Sequence, residues 1–407
     1  MRTKKIVSAL GLAAASLPAV GQVVLIDLGE GARPTSVARV QGQGLVRVSG
    51  FSPDPLDAGG ARVLGVWSIE NGAIGSTTIC RPIAPWNEIS VAGQLSDDGS
   101  LVAGASWTTG VGGEGTVWDA ATGVGGGLGA APGDADSEAA CVRDDGVAGG
   151  GIWGSLTAAH DPVGGWSALL PPLDEPQVPA GAVEDAGPGV FVGSFRDSGG
   201  SLKACVWHDG SPNAERLDDP GSGDSDALSI DGGRVAGYSD DERACIWING
   251  IHTPVPGVGG GPMIGFASVA LPNGYVFGVD FWNFAAFVWR VGWPTSVLLD
   301  DWYTTITQGE TMPYDAFWVT DGVLANGTMH LAVWGMDGFG GDAGLYLAVH
   351  GCGADLAPVY GVLDLQDVNA FVAGFLAHDA IADLDGNGIF DLQDINAFVN
   401  GFNDGCG

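Results

Sequence analysis

The chain has 407 residues, of which 70 are glycine and 14 tryptophan, with only 15% charged residues and a formal net charge of −33. That length exceeds one ordinary core, and 45% hydrophobic residues exclude a disordered chain. The acidic excess argues against nucleic acid as a partner, because phosphates would be repelled rather than neutralised.

The N-terminus reads as a sorting signal. "MRTKK" is a basic n-region, "IVSALGLAAASL" an apolar h-region, and Ala19 and Gly21 are small residues placed for cleavage before Gln22. No later run approaches the roughly 20 apolar residues that a membrane span needs. The expected mature chain is exported, begins near Gln22 after a signal peptide over 1–21, and has no transmembrane span.

From residue 22 onward a repeat emerges through the glycine. "SDDGSLVAGASW" (96–107), "VRDDGVAGGGIW" (142–153), "SIDGGRVAGYSD" (229–240) and "ALPNGYVFGVDF" (270–281) each join a turn pair, a short valine-rich strand and a glycine. Asn-Gly and Asp-Gly are hairpin signals because both residues tolerate positive φ. The strand glycine falls at Gly50, Gly104, Gly149, Gly193, Gly237 and Gly278. A second signature follows, as in "KACVWHDG", "RACIWING" and "LAVWGMDG", with tryptophans at 67, 118, 207, 247, 289 and 334 and His160 in the remaining unit. These seven marks lie 40 to 51 residues apart, the period of a four-stranded blade. One small sheet cannot hide both faces, whereas radial stacking hides each against its neighbours. The expectation is an all-β, seven-bladed β-propeller over 22–350, with the tryptophans packed between blades. The repeat resembles the HAF-type extracellular repeat with its Asn/Asp-Gly, "VxG" and "hAflW" pattern. That resemblance implies an exported binding scaffold and carries no enzymatic activity.

The last segment, 352–407, changes character. "DLDGNGIFDLQD" (383–394) places oxygen ligands at positions 1, 3, 5, 9 and 12 of a loop, with Gly388 at the sharp turn. This is the pattern of an EF-hand-like calcium loop, in which Asp383, Asp385, Asn387, the carbonyl of Ile389, Asp391 and Asp394 hold Ca2+. Ile395, Phe398, Val399 and Phe402 follow at i, i+3, i+4, i+7, giving one apolar face of a helix. "GVLDLQDVNAFVAGF" (361–375) nearly copies "GIFDLQDINAFVNGF" (388–402), with Val368, Phe371, Val372 and Phe375 as its face. The front of this earlier loop is degenerate, since "APVY" replaces the acidic positions, so Asp355, Asp364 and Asp367 form a weaker calcium site. Two such units should pack their helices antiparallel.

Six cysteines in an exported chain permit disulfides. Cys352 and Cys406 bracket the tail and are its only cysteines, so a bridge between them is expected to clasp its ends. Cys205 and Cys245 occupy equivalent repeat positions, too far apart to pair, and read as small buried hydrophobes. The segment 352–407 looks like a dockerin, in the variant that opens "C-x-ADLA-P" and ends near "GC". The resemblance implies calcium-dependent anchoring to a cohesin-type or cell-surface protein. Its partner-facing positions fall on Leu365, Gln366, Leu392 and Gln393, where typical dockerins carry Ser or Thr.

No catalytic motif stands out: there is no Gly-x-Ser-x-Gly, His-Glu-x-x-His, Cys-x-x-Cys or Gly-Lys-Ser/Thr. Asp218/Asp219, Asp240/Asp241 and Asp300/Asp301 are carboxylate pairs of the kind a glycosidase uses, yet accidental pairs are expected among 48 acids. The aromatic runs at 281–289 and 300–306 read as blade core, with a carbohydrate-stacking platform as the rival. The leading expectation is an exported, non-catalytic binding scaffold tethered by its calcium-dependent tail. The alternative is a polysaccharide-degrading hydrolase anchored by the same tail.

Overall fold

The structure, a computed structural model, describes residues 23–40, 44–53, 62–108, 111–131, 136–152, 156–240, 242–307, 309–325, 328–336, 341–350, 354, 356, 363, 365–377, 382, 384 and 389–404. Seven four-stranded antiparallel sheets form a β-propeller. Blades 1 to 6 span 33–80, 88–127, 138–168, 181–216, 226–254 and 265–298, each running inner strand to outer strand in chain order. Blade 7 takes three strands from 315–350 and its outermost from Val23–Glu30. That N-terminal strand pairs from Val23↔Val349 to Glu30↔Ala343, so the ring is closed by hydrogen bonds between the two ends of the propeller sequence. The first strands of neighbouring blades touch one another around the axis.

The repeat glycine has a steric cause. Each inner strand carries a bulge, between Pro34 and Ser36 in blade 1 and between Ala227 and Ser229 in blade 5. Just before it, the inner strand's carbonyl occupies the space a Cβ on the second strand would need. A Cβ on Gly50, Gly193, Gly237 or Gly278 would lie 1.9–2.2 Å from a backbone oxygen. In blade 3 this position belongs to Gly150, whose Cβ would meet the Glu138 oxygen at 2.1 Å, and not to the expected Gly149. The local run of three glycines hid the one-residue difference.

The tryptophans sit on the third strands, two residues beyond the partner of that glycine: Val48↔Trp67, Val102↔Trp118, Phe191↔Trp207, Val235↔Trp247 and Val276↔Trp289. All five are buried. The indole of Trp118 donates to the Arg81 carbonyl at 2.9 Å, that of Trp207 to Leu170 at 2.9 Å, and that of Trp247 to Asp218 at 2.5 Å. Each acceptor lies in the segment arriving from the preceding blade, so the ring fills the space between blades while its N–H fastens them. His160 takes the same register position in blade 3 and packs edge-on to Trp166. Trp334 does not follow the pattern. It lies on the second strand of blade 7, opposite Trp318, and fully buried Leu347 stands at the third-strand position. In this blade, whose outer strand comes from the N-terminus, the last "VW" falls one strand further inward than in the others.

The third and outer strands meet in tight turns. Asn71-Gly72 and Asn249-Gly250 both adopt positive φ, 51° and 75° in the first and 51° and 77° in the second, as a two-residue hairpin with this twist requires. Helix α1 (Leu299–Ile306) follows blade 6 and buries Leu299, Trp302 and Tyr303 in the largest apolar cluster, with Phe277 and Leu331. The run at 281–289 divides. Phe287 and Trp289 are core, but Trp282 and Phe284 are 83% and 72% exposed on a turn that Asp280 holds through the N–H groups of Trp282 and Asn283. The expectation of blade core fails for those two rings because they fall in the turn between strands.

Cys80, Cys141, Cys205 and Cys245 are free and buried, and burial pushes their thiols up, Cys80 to about 12. Cys205 and Cys245 face Gly193 and Gly237 in equivalent registers, as the repeat implied. In the tail, helices α2 (Leu365–Ala377) and α3 (Leu392–Asp404) pack around Phe371 and Phe398. No helix among the described residues is long and apolar enough to cross a membrane. Residues 1–22, including the expected signal peptide, lie outside the described residues, as do Cys352 and Cys406.

Candidate functional site

Two regions gather chemistry. The first is the tail. Its helices stack Phe371 on Phe398 with ring centroids 4.2 Å apart and an 11° interplanar angle, two residues that correspond at the 27-residue repeat. Phe375 and Phe402 flank them equivalently, at 5.7 Å each. Phe375 also meets Phe390 at 6.3 Å, which puts the start of α3 beside the end of α2. The core of this unit is small, with Ala354, Leu356, Phe371, Ala382 and Phe398 buried.

The repeat extends into the loops. Buried Asp394 accepts a hydrogen bond from the Leu384 N–H at 2.8 Å, and buried Asp367 accepts one from the Leu356 N–H at 2.7 Å. Leu384 follows Asp383, and Leu356 follows Asp355, so both loops fold their closing carboxylate back onto their second residue. The extra residue of the first loop does not change this bond. Asp394 Oδ2 also accepts from Asp391 N–H at 3.0 Å, and Asp391 accepts from Gln393 N–H at 2.6 Å. Ile389 is exposed ahead of them. Asp383, Asp385, Asn387, Asp355 and Asp364 lie outside the described residues. The described part has the chemistry of a hard-cation loop in that the carboxylates of Asp367 and Asp394 are held buried by backbone N–H groups and the side chains of the pattern are oxygen donors.

Leu365 and Leu392 open their helices 70% and 66% exposed, and Gln366 and Gln393 beside them are exposed as well. Val372 and Val399, read as part of the inward face, are instead exposed and lie two turns further along the same surface. The inward face is narrower than the spacing implied because two short helices cross at one pair of rings. What remains outside is a pair of corresponding apolar stripes, Leu365–Val372 and Leu392–Val399.

The second region is a cavity of about 780 Å³ running from the propeller axis into the cleft between blades 4 and 5. Asp97, Asp185, Asp231 and Asp321, from blades 2, 4, 5 and 7, line it. Asp321 accepts hydrogen bonds from Ser36 Oγ at 2.7 Å and Val37 N–H at 2.8 Å, across the joint where the ring closes. Asp185 makes the same bond to Ile230 N–H of the next blade at 2.8 Å. Burial, and then the charge of Asp321, push Asp185 well above the usual carboxylate range. Burial raises Asp321 to about 6, with Asp97 adding to the rise. Desolvation and the charges of Asp97 and Asp321 bring Asp231 to about 7, against the lowering effect of Arg234. Desolvation at the rim, then Asp144 and Asp98, raise Asp97 to about 6. Sequence reasoning missed this set. Asp97 and Asp231 looked only like turn residues, and Asp185 and Asp321 have no local motif, since a radial fold gathers them from distant units.

Two of the carboxylates weighed for hydrolysis are engaged in ion pairs. Asp219 forms a buried ion pair with Lys203 at 3.0 Å and accepts from Ser225 Oγ, and Asp240 pairs with Arg243 at 3.2 Å. Asp300 and Asp301 lie in the first turn of α1, and Asp241 is outside the described residues. His252 shares a 2.8 Å hydrogen bond with Ser239, while His208 faces Glu215 at 3.4 Å on the cavity wall. No three His, Cys, Asp or Glu side chains among the described residues converge as metal ligands.

No family model matches the chain, and no curated protein matches it. Among solved structures it is similar to TolB from Acinetobacter baumannii, at 14% identity and TM-score 0.36 over 53% of this chain and 51% of that one. The chain thus spans about half the length of that protein. It is also similar to the WD40 β-propeller domain of Doa1, at 14% identity and TM-score 0.47 over 80% and 96%, and to YCF48 bound to D1 peptide, at 12% and 0.49 over 83% and 98%. The strand order on its own establishes a seven-bladed β-propeller followed by two short helices.

Proposed function

We propose that the protein is an exported, non-catalytic binding scaffold, a propeller tethered by a dockerin-like tail that docks onto a cohesin-type or cell-surface partner when calcium is bound. The observation that carries this reading is the doubled arrangement of the tail. Two buried closing aspartates, Asp367 and Asp394, sit beneath two exposed Leu-Gln pairs at the starts of corresponding helices. Calcium held by Asp383, Asp385, Asn387, Ile389, Asp391 and Asp394 would fix the start of α3, and the degenerate first loop would hold the ion more weakly. A bridge between Cys352 and Cys406 would compensate for the small core. The propeller supplies the second binding function, and the engagement of Asp219 and Asp240 in ion pairs supports a role without hydrolysis.

Calorimetry on the full chain tests the tail. Calcium should bind at one strong site at least, and Asp383→Ala should abolish that site while leaving the propeller's melting transition in place. Unchanged calcium binding in that variant would refute the assignment. Leu392→Ala with Gln393→Ala should weaken capture of a cohesin-type partner.

A further inference from the structure

The cavity on the propeller axis has a composition that points to one kind of ligand. Its carboxylates come from four blades, and between them lie aliphatic walls formed by Val37, Leu95, Val190, Ile230, Val235 and Val323. No lysine or arginine is among its described lining residues. Its volume falls in the range of pockets that enclose small organic molecules. The Oδ2 of Asp231 is shut off from solvent and accepts no hydrogen bond among the described residues. Carboxylates therefore collect in a partly apolar space whose described lining offers His208 but no lysine or arginine, with Arg234 behind Asp231. The carboxylates do not converge as a metal site. The complement to separated acids joined by aliphatic surface is a chain of ammonium groups joined by methylenes.

We propose that this cavity binds a linear aliphatic oligoamine, with ammonium groups set against carboxylates of different blades and methylene links against the valine, leucine and isoleucine walls. This rests on the binding-scaffold reading of the propeller and names its ligand class. Charge-assisted hydrogen bonds to buried carboxylates are the strong kind, and the low dielectric of the cavity strengthens them. Protons compete for the same oxygens. The charged groups facing the ligand are Asp97, Asp185, Asp231, Asp321, Glu215 and His208, with Asp98, Asp144 and Arg234 behind them. Because Asp97, Asp231 and Asp321, raised to about 6, 7 and 6, take up protons between about pH 7 and 5, affinity should fall across that interval.

The test is calorimetry of spermidine on the full chain, in excess calcium so that the tail's carboxylates are occupied. One equivalent should bind near pH 7.5, more weakly near pH 5. Butylamine, with one charge, should bind far less. Asp97→Asn with Asp231→Asn should weaken spermidine binding by about tenfold or more, the loss of about 1.4 kcal/mol, with an unchanged circular dichroism spectrum. Should the double variant not fold, Asp97→Asn alone, at the exposed rim, must still weaken binding. An absence of heat, equal binding by the variants, or complete displacement by magnesium at matched ionic strength would overturn the proposal. So would a tri-lysine peptide binding more tightly than spermidine, which would assign the cavity to basic polypeptides. None of these outcomes touches the calcium titration of the tail, so the two readings stand or fall separately.

Discussion

Each propeller blade has two neighbours against which to bury its faces, whereas each loop–helix unit of the tail has one. In the propeller, Trp118, Trp207 and Trp247 fill the joints of blades 1 and 2, 3 and 4, and 4 and 5, and donate to the incoming segment. In the tail a single ring stack, Phe371 on Phe398, centres a small core. Apolar burial alone can hold a ring of seven sheets. A pair of 13-residue helices needs help from outside its own packing. On the proposed reading of the tail, calcium should be dispensable for the first region and decisive for the second.

That comparison can be broken at the joints. Trp247→Ala should cost about 3–5 kcal/mol, read as the shift in a urea unfolding midpoint of the propeller transition, because it leaves a large void between blades 4 and 5. Lys203→Ala should cost about 3 kcal/mol in the same measurement, since Asp219 would remain buried without its partner. Trp247→Phe, which keeps most of the ring and removes the N–H, should cost only about 1 kcal/mol. A loss as large as that of the alanine variant would mean that the bond to Asp218, and not the filling of space, holds the joint.

A smaller effect sharpens the contrast through pH. The carboxyls of Asp231, Asp321 and Glu138 are raised in the folded ring, to about 7, 6 and 7, chiefly by burial. An acid whose folded value is raised binds its proton more firmly in the folded state. Its contribution is complete below the unfolded value and is lost as pH rises towards the folded one. The propeller's Tm should therefore be higher near pH 5 than near pH 7.5, by about 2 °C. A tail held by carboxylate–calcium bonds should respond in the opposite direction, because protons displace the ion.

Much of the ring was legible in the sequence because its repeat has steric causes. The glycine at 237 must be glycine because a carbonyl fills the place of its side chain, and the tryptophan at 247 follows from the joint it occupies. Reading failed where local pattern and register separate. Gly149 stood in for Gly150 within a glycine run, and Trp334 matched the motif from the wrong strand of the closing blade. The cavity aspartates were invisible for a different reason: Asp97 and Asp321 lie more than two hundred residues apart, and only the closing of the ring brings them to one axis. In the tail, the spacing located both helices, while Val372 and Val399 lie outside the packed face.

Amide hydrogen exchange on the full chain, with calcium and then with chelator, tests the central claim most directly. The account predicts that α2 and α3 lose protection by about a hundredfold in chelator, as a ligand at a hundred times its Kd would confer, while the strands of all seven blades exchange unchanged. Equal protection of α2 and α3 in both conditions would contradict it.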